Sequence, residues 1–277
     1  MRALMSLAGV AKETLEICER GVYRAPTGAT VSIRAEVDRA VAGTVLYRPE
    51  DFDALVVPPA STPSAPRVEV TDETTAEAAR RLAADTPRVL ALNFASAKNP
   101  GGGFLGGAKA QEEDLARCSA LYPCQLTARG YYDANRACGS MLYTDHMIHS
   151  PEVPFFRDER LDLLESPFTV SILTAPAPNA GEAARGHRHR AADVLDTLRR
   201  RAARVLLVAA ARGHRCLVLG AWGCGVFRND PAAVADAFAR GLDHERLHGA
   251  FERVVFAVYD RGKRKENLRA FQARFGG

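Results

Sequence analysis

The sequence predicts an α/β protein: a three-layer α/β/α arrangement with helices on both faces of a mixed sheet and a helical and strand extension at the N-terminus. Two observations carry the layered core. Four runs of strand length, 88–94 (RVLALNF), 168–175 (FTVSILTA), 216–221 (CLVLGA) and 253–259 (RVVFAVY), are nearly all apolar instead of alternating. That is the pattern of strands buried on both faces. Helical stretches separate the runs, as parallel crossover connections require. This rhythm begins only at residue 67. Residues 1–66 are therefore expected to be an extension packed on a core of 67–277.

The elements follow in chain order. Residues 6–20 predict an amphipathic helix, with Leu7, Val10, Ala11, Leu15, Ile17 and Cys18 on one side. Residues 30–37 (TVSIRAEV) and 44–48 (TVLYR) predict strands, and the Pro/Ser/Ala-rich 56–67 an exposed connection. A short strand at 68–70 precedes a helix capped by Thr71 or Asp72 and running to about Ala84. Gln111–Leu121 predicts a helix. Residues 122–160, including TARGYYDANRACGS and HSPEVPFFRDER, predict loops and insertions. A long Arg/Ala helix is expected over about 187–212, another from Pro231, and a last one over Glu266–Phe275.

Composition excludes some functions. The net charge of +4 is too mild for binding nucleic acid or membrane by bulk electrostatics. No apolar run is long enough to span a bilayer, and the N-terminus lacks a signal-peptide pattern. The six cysteines form no C-x-x-C pair and no dense framework, so free thiols in a reducing cytoplasm are expected.

Two glycine loops follow buried strands. The first, ASAKNPGGGFLGG, contains Asn99, Gly101, Gly102 and Gly103. The second, WGCGVFRND, contains Gly223, Cys224, Gly225, Val226 and Phe227. Each lies between a strand and a helix N-terminus, where α/β sheets bind ligands. Glycine lets backbone N–H groups approach an anion, and the helix terminus adds partial positive charge. Either loop alone fits an ordinary tight turn. Two at equivalent positions fit the two phosphates of a diphosphate.

Familiar phosphate motifs do not fit. Gly101-x-Gly103-x-x-Gly106 starts too far from its strand for a dinucleotide fingerprint, with no acidic strand end about 20 residues on. Lys109 lies between two alanines, so there is no Gly-Lys-Ser/Thr of a Walker A loop. Other candidates are weaker. His244 and His248 lack a third metal ligand nearby. His187 to Arg190, with Arg199–Arg201 and Arg204, form a basic face that is either solvated or touches distal phosphates. Cys224 has no evident base. Tyr131–Tyr132 and Phe155–Phe156 are either adenine contacts or core.

Gln111, Glu112 and Glu113 follow the first loop. Acidic residues in a helix first turn are usually solvated and favoured by the dipole. Successive helix residues point about 100° apart, so adjacent glutamates cannot flank a bond as an ordinary glycosidase pair does.

Gly101-Gly102-Gly103, seven residues and then Gln111-Glu112-Glu113 resembles the GGG-x(6–8)-QEE signature of poly(ADP-ribose) glycohydrolases. Asn99 and Gly223–Phe227 resemble the ribose and diphosphate loops of macrodomains, and the length resembles the compact bacterial branch. The resemblance implies a macrodomain-like sheet and hydrolysis of the ribose–ribose bond of poly(ADP-ribose), without metal or cofactor. It implies Glu113 as the catalytic acid and base, and Glu112 as the residue holding hydroxyls beside the scissile bond. Gln111 and Asn99 would fix the terminal ribose, Gly101–Gly103 and Gly223–Val226 the diphosphate, and Phe227 would pack on ribose. The implied partners are poly(ADP-ribose), ADP-ribose and, indirectly, poly-ADP-ribosylated proteins. Neither nucleic acid nor membrane is required, and a cytoplasmic monomer that reverses ADP-ribosylation, as in a DNA damage response, is expected. A helix N-terminus favours the ionised carboxylate, whereas a general acid must hold a proton near neutral pH. Glu113 is therefore expected to become a competent acid once substrate diphosphate is bound. The competing readings are a non-catalytic ADP-ribose reader and a hydrolase of mono-ADP-ribosylated protein or nucleic acid.

Overall fold

A computed structural model describes residues 5–59, 64–86, 88–185 and 189–276. Helix α1 (Leu7–Arg20) starts at Ser6, whose side chain accepts the Gly9 N–H, and ends at Gly21. Strands β1 (Val22–Arg24) and β2 (Thr30–Ser32) form a separate antiparallel hairpin. Helix α2 (Arg34–Ala42) then takes over part of the stretch expected as strand. The reason is spacing: Ile33, Val37 and Ala40 are all buried and recur at i, i+4 and i+7, one face of a helix. Strand β3 (Val45–Tyr47) follows.

From β4 (Arg67–Thr71) the expected alternation appears. Helix α3 (Thr75–Asp85) is capped by Thr74, two or three residues later than the expected Asp72 or Thr71. Thr74 and Glu77 form a reciprocal capping box, each side chain bonding the other's backbone N–H. Strand β5 is Val89–Phe94. Helix α4 (Gln111–Cys118) stops short of Leu121, because Ser119 turns extended and bridges to Phe155. Helices α5 (Leu121–Thr127) and α6 (Arg129–Ala137) and strand β6 (Met147–Arg157) replace the loops expected over 122–160. Pro151 falls in a register shift between Ser150 and Val153, whereas Pro154 stays in the ladder opposite Thr169.

The remaining elements are β7 (Leu163–Ala175), α7 (Ala180–Arg185), α8 (Ala191–Ala211), β8 (Cys216–Leu219), α9 (Pro231–Leu242), β9 (Arg253–Ala257) and α10 (Glu266–Phe275). The expected helix start near His187 lies outside the described residues. His244 and His248 flank a 3-10 turn (Glu245–Leu247) rather than sharing a helix face. Among the described residues no group of three His, Cys, Asp or Glu could hold a metal. None of the described helices is long and apolar enough to cross a membrane.

The main sheet has seven strands in the order β3-β6-β7-β5-β8-β9-β4. The β7-β5-β8-β9-β4 portion is parallel, and β3-β6-β7 is antiparallel. Alternate residues feed two cores. Leu90, Leu92, Leu217, Leu219, Val254 and Phe256 pack with α8, α9 and α10. Val89, Ala91, Cys216, Val218, Val255 and Ala257 pack with residues of α1, α2, α3, α4 and α5. This double burial explains why the strands show apolar runs. It also leaves the ends of β5 and β8 as the places where loops can form a site.

Candidate active site

The site lies where β5 and β8 end. Gln111, at the first turn of α4, fastens that helix to β5. Its Oε1 accepts the Phe94 N–H at 2.8 Å, and its Nε2 donates to the Leu92 carbonyl at 2.7 Å and to Thr75 Oγ1 at 3.1 Å. The amide is therefore committed to the scaffold. The Asn99 side chain, in contrast, is exposed.

Glu112 is only 4% exposed and lies beneath the loop. Its Oε1 accepts from Asn93 Nδ2 at 3.1 Å and Gln125 Nε2 at 2.9 Å, and its Oε2 accepts the Ser96 N–H at 2.6 Å. Burial pushes its carboxyl up to about 7, overcoming these three hydrogen bonds, and the nearby Glu113 acts in the same upward direction. Glu113 is half-buried, and its Oε1 accepts the Gly103 N–H at 2.9 Å.

The two carboxylates converge on one point despite the helical offset of their side chains. A Cβ on Gly102 would stand 2.3 Å from Glu113 Oε1 and 3.2 Å from Glu112 Oε2. Gly102 also has φ +59, which costs a side chain about 1–2 kcal/mol. Only glycine satisfies both demands here.

The first loop spends its amides internally. Gly101 donates to Gln125 Oε1 at 2.8 Å, Gly102 to the Asn99 carbonyl at 3.0 Å, and Gly103 to Glu113. In this structure the triplet holds carboxylates and its own turn rather than presenting three free N–H groups to an anion. The second loop differs. Among the described residues, the N–H groups of Gly225, Val226 and Phe227 have no protein acceptor. Val226 is 85% exposed. Gly223 sets this loop with φ +73, where a Cβ would strike Asn229 and Ala177. Asn229 Nδ2 pins the base of the loop to the carbonyls of Pro178 and Gly223. Among the described residues Cys224 has no base partner, and burial pushes its thiol up to about 12.

A cleft of about 460 Å³ lies between the start of α4 and the second loop. Its lining includes Thr75, Phe94, Gln111 and Leu115 on one side and Gly223, Gly225, Val226 and Phe227 on the other, with Val258 and Tyr259 between. Asn99, Gly101–Gly103, Glu112 and Glu113 are not among its lining residues. A second cavity, about 430 Å³ and lined by residues such as Val68, Leu242 and Phe275, contains none of these residues.

Several candidate residues lie elsewhere. Tyr131, Tyr132, Phe155 and Phe156 are all buried in the core and do not line the cleft. The basic face is largely neutralised: Arg201 is fully buried, Arg200 and Arg204 pair with Asp145, and Arg199 lies 3.8 Å from Asp236. Asn93, Ser96, Gln125, Val258 and Tyr259 emerge as site residues only in three dimensions. Asn93 alone carried a signal, as the one polar residue in an apolar strand. Tyr143, at φ +58, packs its ring 5.9 Å from that of Phe227.

These features define an α/β fold with a carboxylate pair at the end of β5 and an anion-ready loop at the end of β8. Residues 11–158 match the family model described as the microbial-type PARG catalytic domain, PARG being poly(ADP-ribose) glycohydrolase. The structure of PARG from Thermomonospora curvata is 49% identical and covers 97% of this chain and 99% of that one, at a TM-score of 0.92. The same protein bound to the inhibitor ADP-HPD is 48% identical with the same coverages and a TM-score of 0.90. PARG from Deinococcus radiodurans in complex with ADP-ribose is 49% identical, covers 88% and 98%, and gives a TM-score of 0.81. No curated protein matches the sequence. The chain belongs to the microbial-type poly(ADP-ribose) glycohydrolase family.

Proposed function

We propose that the protein hydrolyses the ribose–ribose O-glycosidic bond of poly(ADP-ribose) and releases ADP-ribose. The observation that carries this reading is the convergence of Glu112 and Glu113 at Gly102, together with a second loop whose backbone N–H groups are free among the described residues. The diphosphate sits on the N–H groups of Gly225, Val226 and Phe227, and the adenosine extends along the cleft. Phe227, steadied by Tyr143, packs on ribose. Asn99 holds the terminal ribose, while Gln111 contributes by fixing α4 to β5. The relatives' complexes with ADP-ribose and ADP-HPD support the same ligand class here.

Glu113 carries the proton transfers. Its acid form protonates the leaving 2′ oxygen as the glycosidic bond breaks, leaving an oxocarbenium-like centre. Its carboxylate then takes a proton from the attacking water, which restores the acid. Glu112 holds hydroxyls on either side of the bond. Burial shifts its titration upward. Catalysis belongs to residues 67–277. The 1–66 stretch joins that core through β3 at the edge of the main sheet and through Ala11, which meets Phe104 and Ala116 beside the glycine turn.

The test compares ADP-ribose release from polymer, from mono-ADP-ribosylated protein and from ADP-ribosylated DNA. Rapid release from polymer is expected. A reader would bind all three and release nothing, and a mono-specific hydrolase would leave the polymer intact.

A further inference from the structure

Gln125 belongs to none of the motifs that define the site, yet it touches two of their residues. It sits on α5 and is fully buried. Its Oε1 accepts the Gly101 N–H at 2.8 Å, and its Nε2 donates to Glu112 Oε1 at 2.9 Å. The orientation of the amide is fixed by chemistry. A backbone N–H can only donate, so the amide oxygen must face Gly101 and the NH₂ must face Glu112. Glu112 Oε1 is thereby held as an acceptor.

We propose that Gln125 is a positioning residue for the glycosidic reaction, locking the turn of the first glycine loop to the Glu112 carboxylate so that the loop and the carboxylate move as one unit. This rests on the glycohydrolase reading of Glu112. Without Gln125 the Gly101 N–H is buried without its acceptor, and Glu112 keeps only Asn93 and Ser96. The loop that shapes Gly102 and Gly103 then loses its link to the residue it overhangs. The ionisable groups facing Glu112 are Glu113 on its own helix and Tyr131 and Tyr132 on α6. Both tyrosines titrate far above neutral, so a change near pH 7 reports the carboxylates.

The test uses two variants of the full chain, with polymer turnover, ADP-ribose calorimetry and an NMR titration of labelled glutamate carboxyls. Gln125→Met keeps the shape and loses both hydrogen bonds. It should bind ADP-ribose within about threefold of wild type and lose about tenfold or more in kcat, as small misplacements of reacting groups do. The Glu112 titration should move to higher pH. Gln125→Glu can make both bonds only while its own carboxyl is protonated. It should therefore approach wild-type turnover at low pH and lose it as pH rises. Wild-type kcat and an unmoved Glu112 titration in Gln125→Met would overturn the proposal. So would a Gln125→Glu pH profile parallel to that of wild type, a readout that holds even if the Met variant fails to fold. The NMR titration also separates this proposal from the functional reading. A wild-type protein inert on polymer ends that reading, while the Glu112 shift still tests the Gln125 link.

Discussion

Gly103 donates its backbone N–H to Glu113 Oε1 at 2.9 Å, so the proposed catalytic carboxylate is held by the loop before it rather than by its own helix. Two variants separate the role of the carboxyl from that of the loop. Glu113→Gln should bind ADP-ribose like wild type and lose about 10²–10⁴-fold in turnover, the usual contribution of general acid–base catalysis. Turnover within tenfold of wild type would remove Glu113 from the mechanism.

Gly102→Ala tests the convergence of the two carboxylates. The new methyl meets Glu113 Oε1 at 2.3 Å, and the glutamate can yield only by leaving its place. Together with φ +59, this should cost about 1–2 kcal/mol in stability. The fold should survive, while kcat drops by about tenfold or more. A denaturation midpoint and a turnover assay on one sample check both. An alanine variant with full activity would show that the carboxylates need not sit together under this residue.

Most of the layered core was legible because burial on both faces leaves a simple mark: apolar runs at β5, β7, β8 and β9. The misread segments are those where local signals conflict with context. Residues 34–37 carry strand-like alternation, but Ile33, Val37 and Ala40 share a helical face, and packing settles the matter. HSPEVPFFRDER reads as a loop, yet a register shift absorbs Pro151 and Pro154 pairs with Thr169 within the strand. In the site, the glycine triplet and the two glutamates were legible as a motif because they are contiguous. Gln125 and Ser96 were not, since their meaning lies in contacts that only folding creates. Asn93 could have been noticed, because a polar side chain inside an apolar strand must find a partner. The expectation of an anion cradle at the first loop was drawn from its glycines and its place between a buried strand and a helix N-terminus. The acceptors of those N–H groups, Gln125, Asn99 and Glu113, are visible only in the structure.

Glu112 should leave a signature in the pH dependence of stability. Its folded-state value of about 7 lies above the ordinary 4.5. A raised carboxyl favours folding fully below its unfolded value and loses that contribution as pH rises through the folded one. Glu112→Gln removes this titration. The difference in Tm between variant and wild type should therefore move in the variant's favour from pH 4.5 to 7, whatever fixed offset the amide introduces. A pH-independent difference would place the Glu112 titration elsewhere.

The buried His149–His214 pair acts in the opposite sense. His214 Nδ1 donates to the Arg88 carbonyl at 2.9 Å, so its Nε2 accepts from His149 Nε2 at 3.0 Å. His149 Nδ1 is left buried without a partner among the described residues. Burial, then the neighbouring His214, lowers His149 from 6.5 to about 3. A depressed histidine contributes fully above its unfolded value and loses that contribution as pH falls toward the folded one. Stability should fall by on the order of 4 kcal/mol between pH 6.5 and 3. Replacing His149 with asparagine should flatten this slope in a series of urea melts. An unchanged slope would assign acid sensitivity to other groups.

The buried guanidinium of Arg201 supports the aromatic wall of the site from behind. Its Nε pairs with Asp145 at 2.8 Å, its Nη1 donates to the Pro176 carbonyl at 2.7 Å, and its Nη2 donates to the Leu142 carbonyl at 3.0 Å. One planar group thus joins α8, the end of β7 and the loop carrying Tyr143, which packs on Phe227. Burial alone pushes Asp145 up, but hydrogen bonds and charge from Arg200 and Arg201 hold it below its ordinary value. Removing Arg201 leaves two carbonyls and part of a carboxylate without their donors. Arg201→Ala should cost about 3–5 kcal/mol, the usual loss when one partner of a buried ion pair is deleted. Lysine should not rescue it. An ammonium keeps the charge but cannot hold three acceptors in the fixed geometry of a guanidinium fork. Urea midpoints for the alanine and lysine variants decide the point, because a lysine variant as stable as wild type would mean that charge alone, and not the fork, holds the Tyr143 loop.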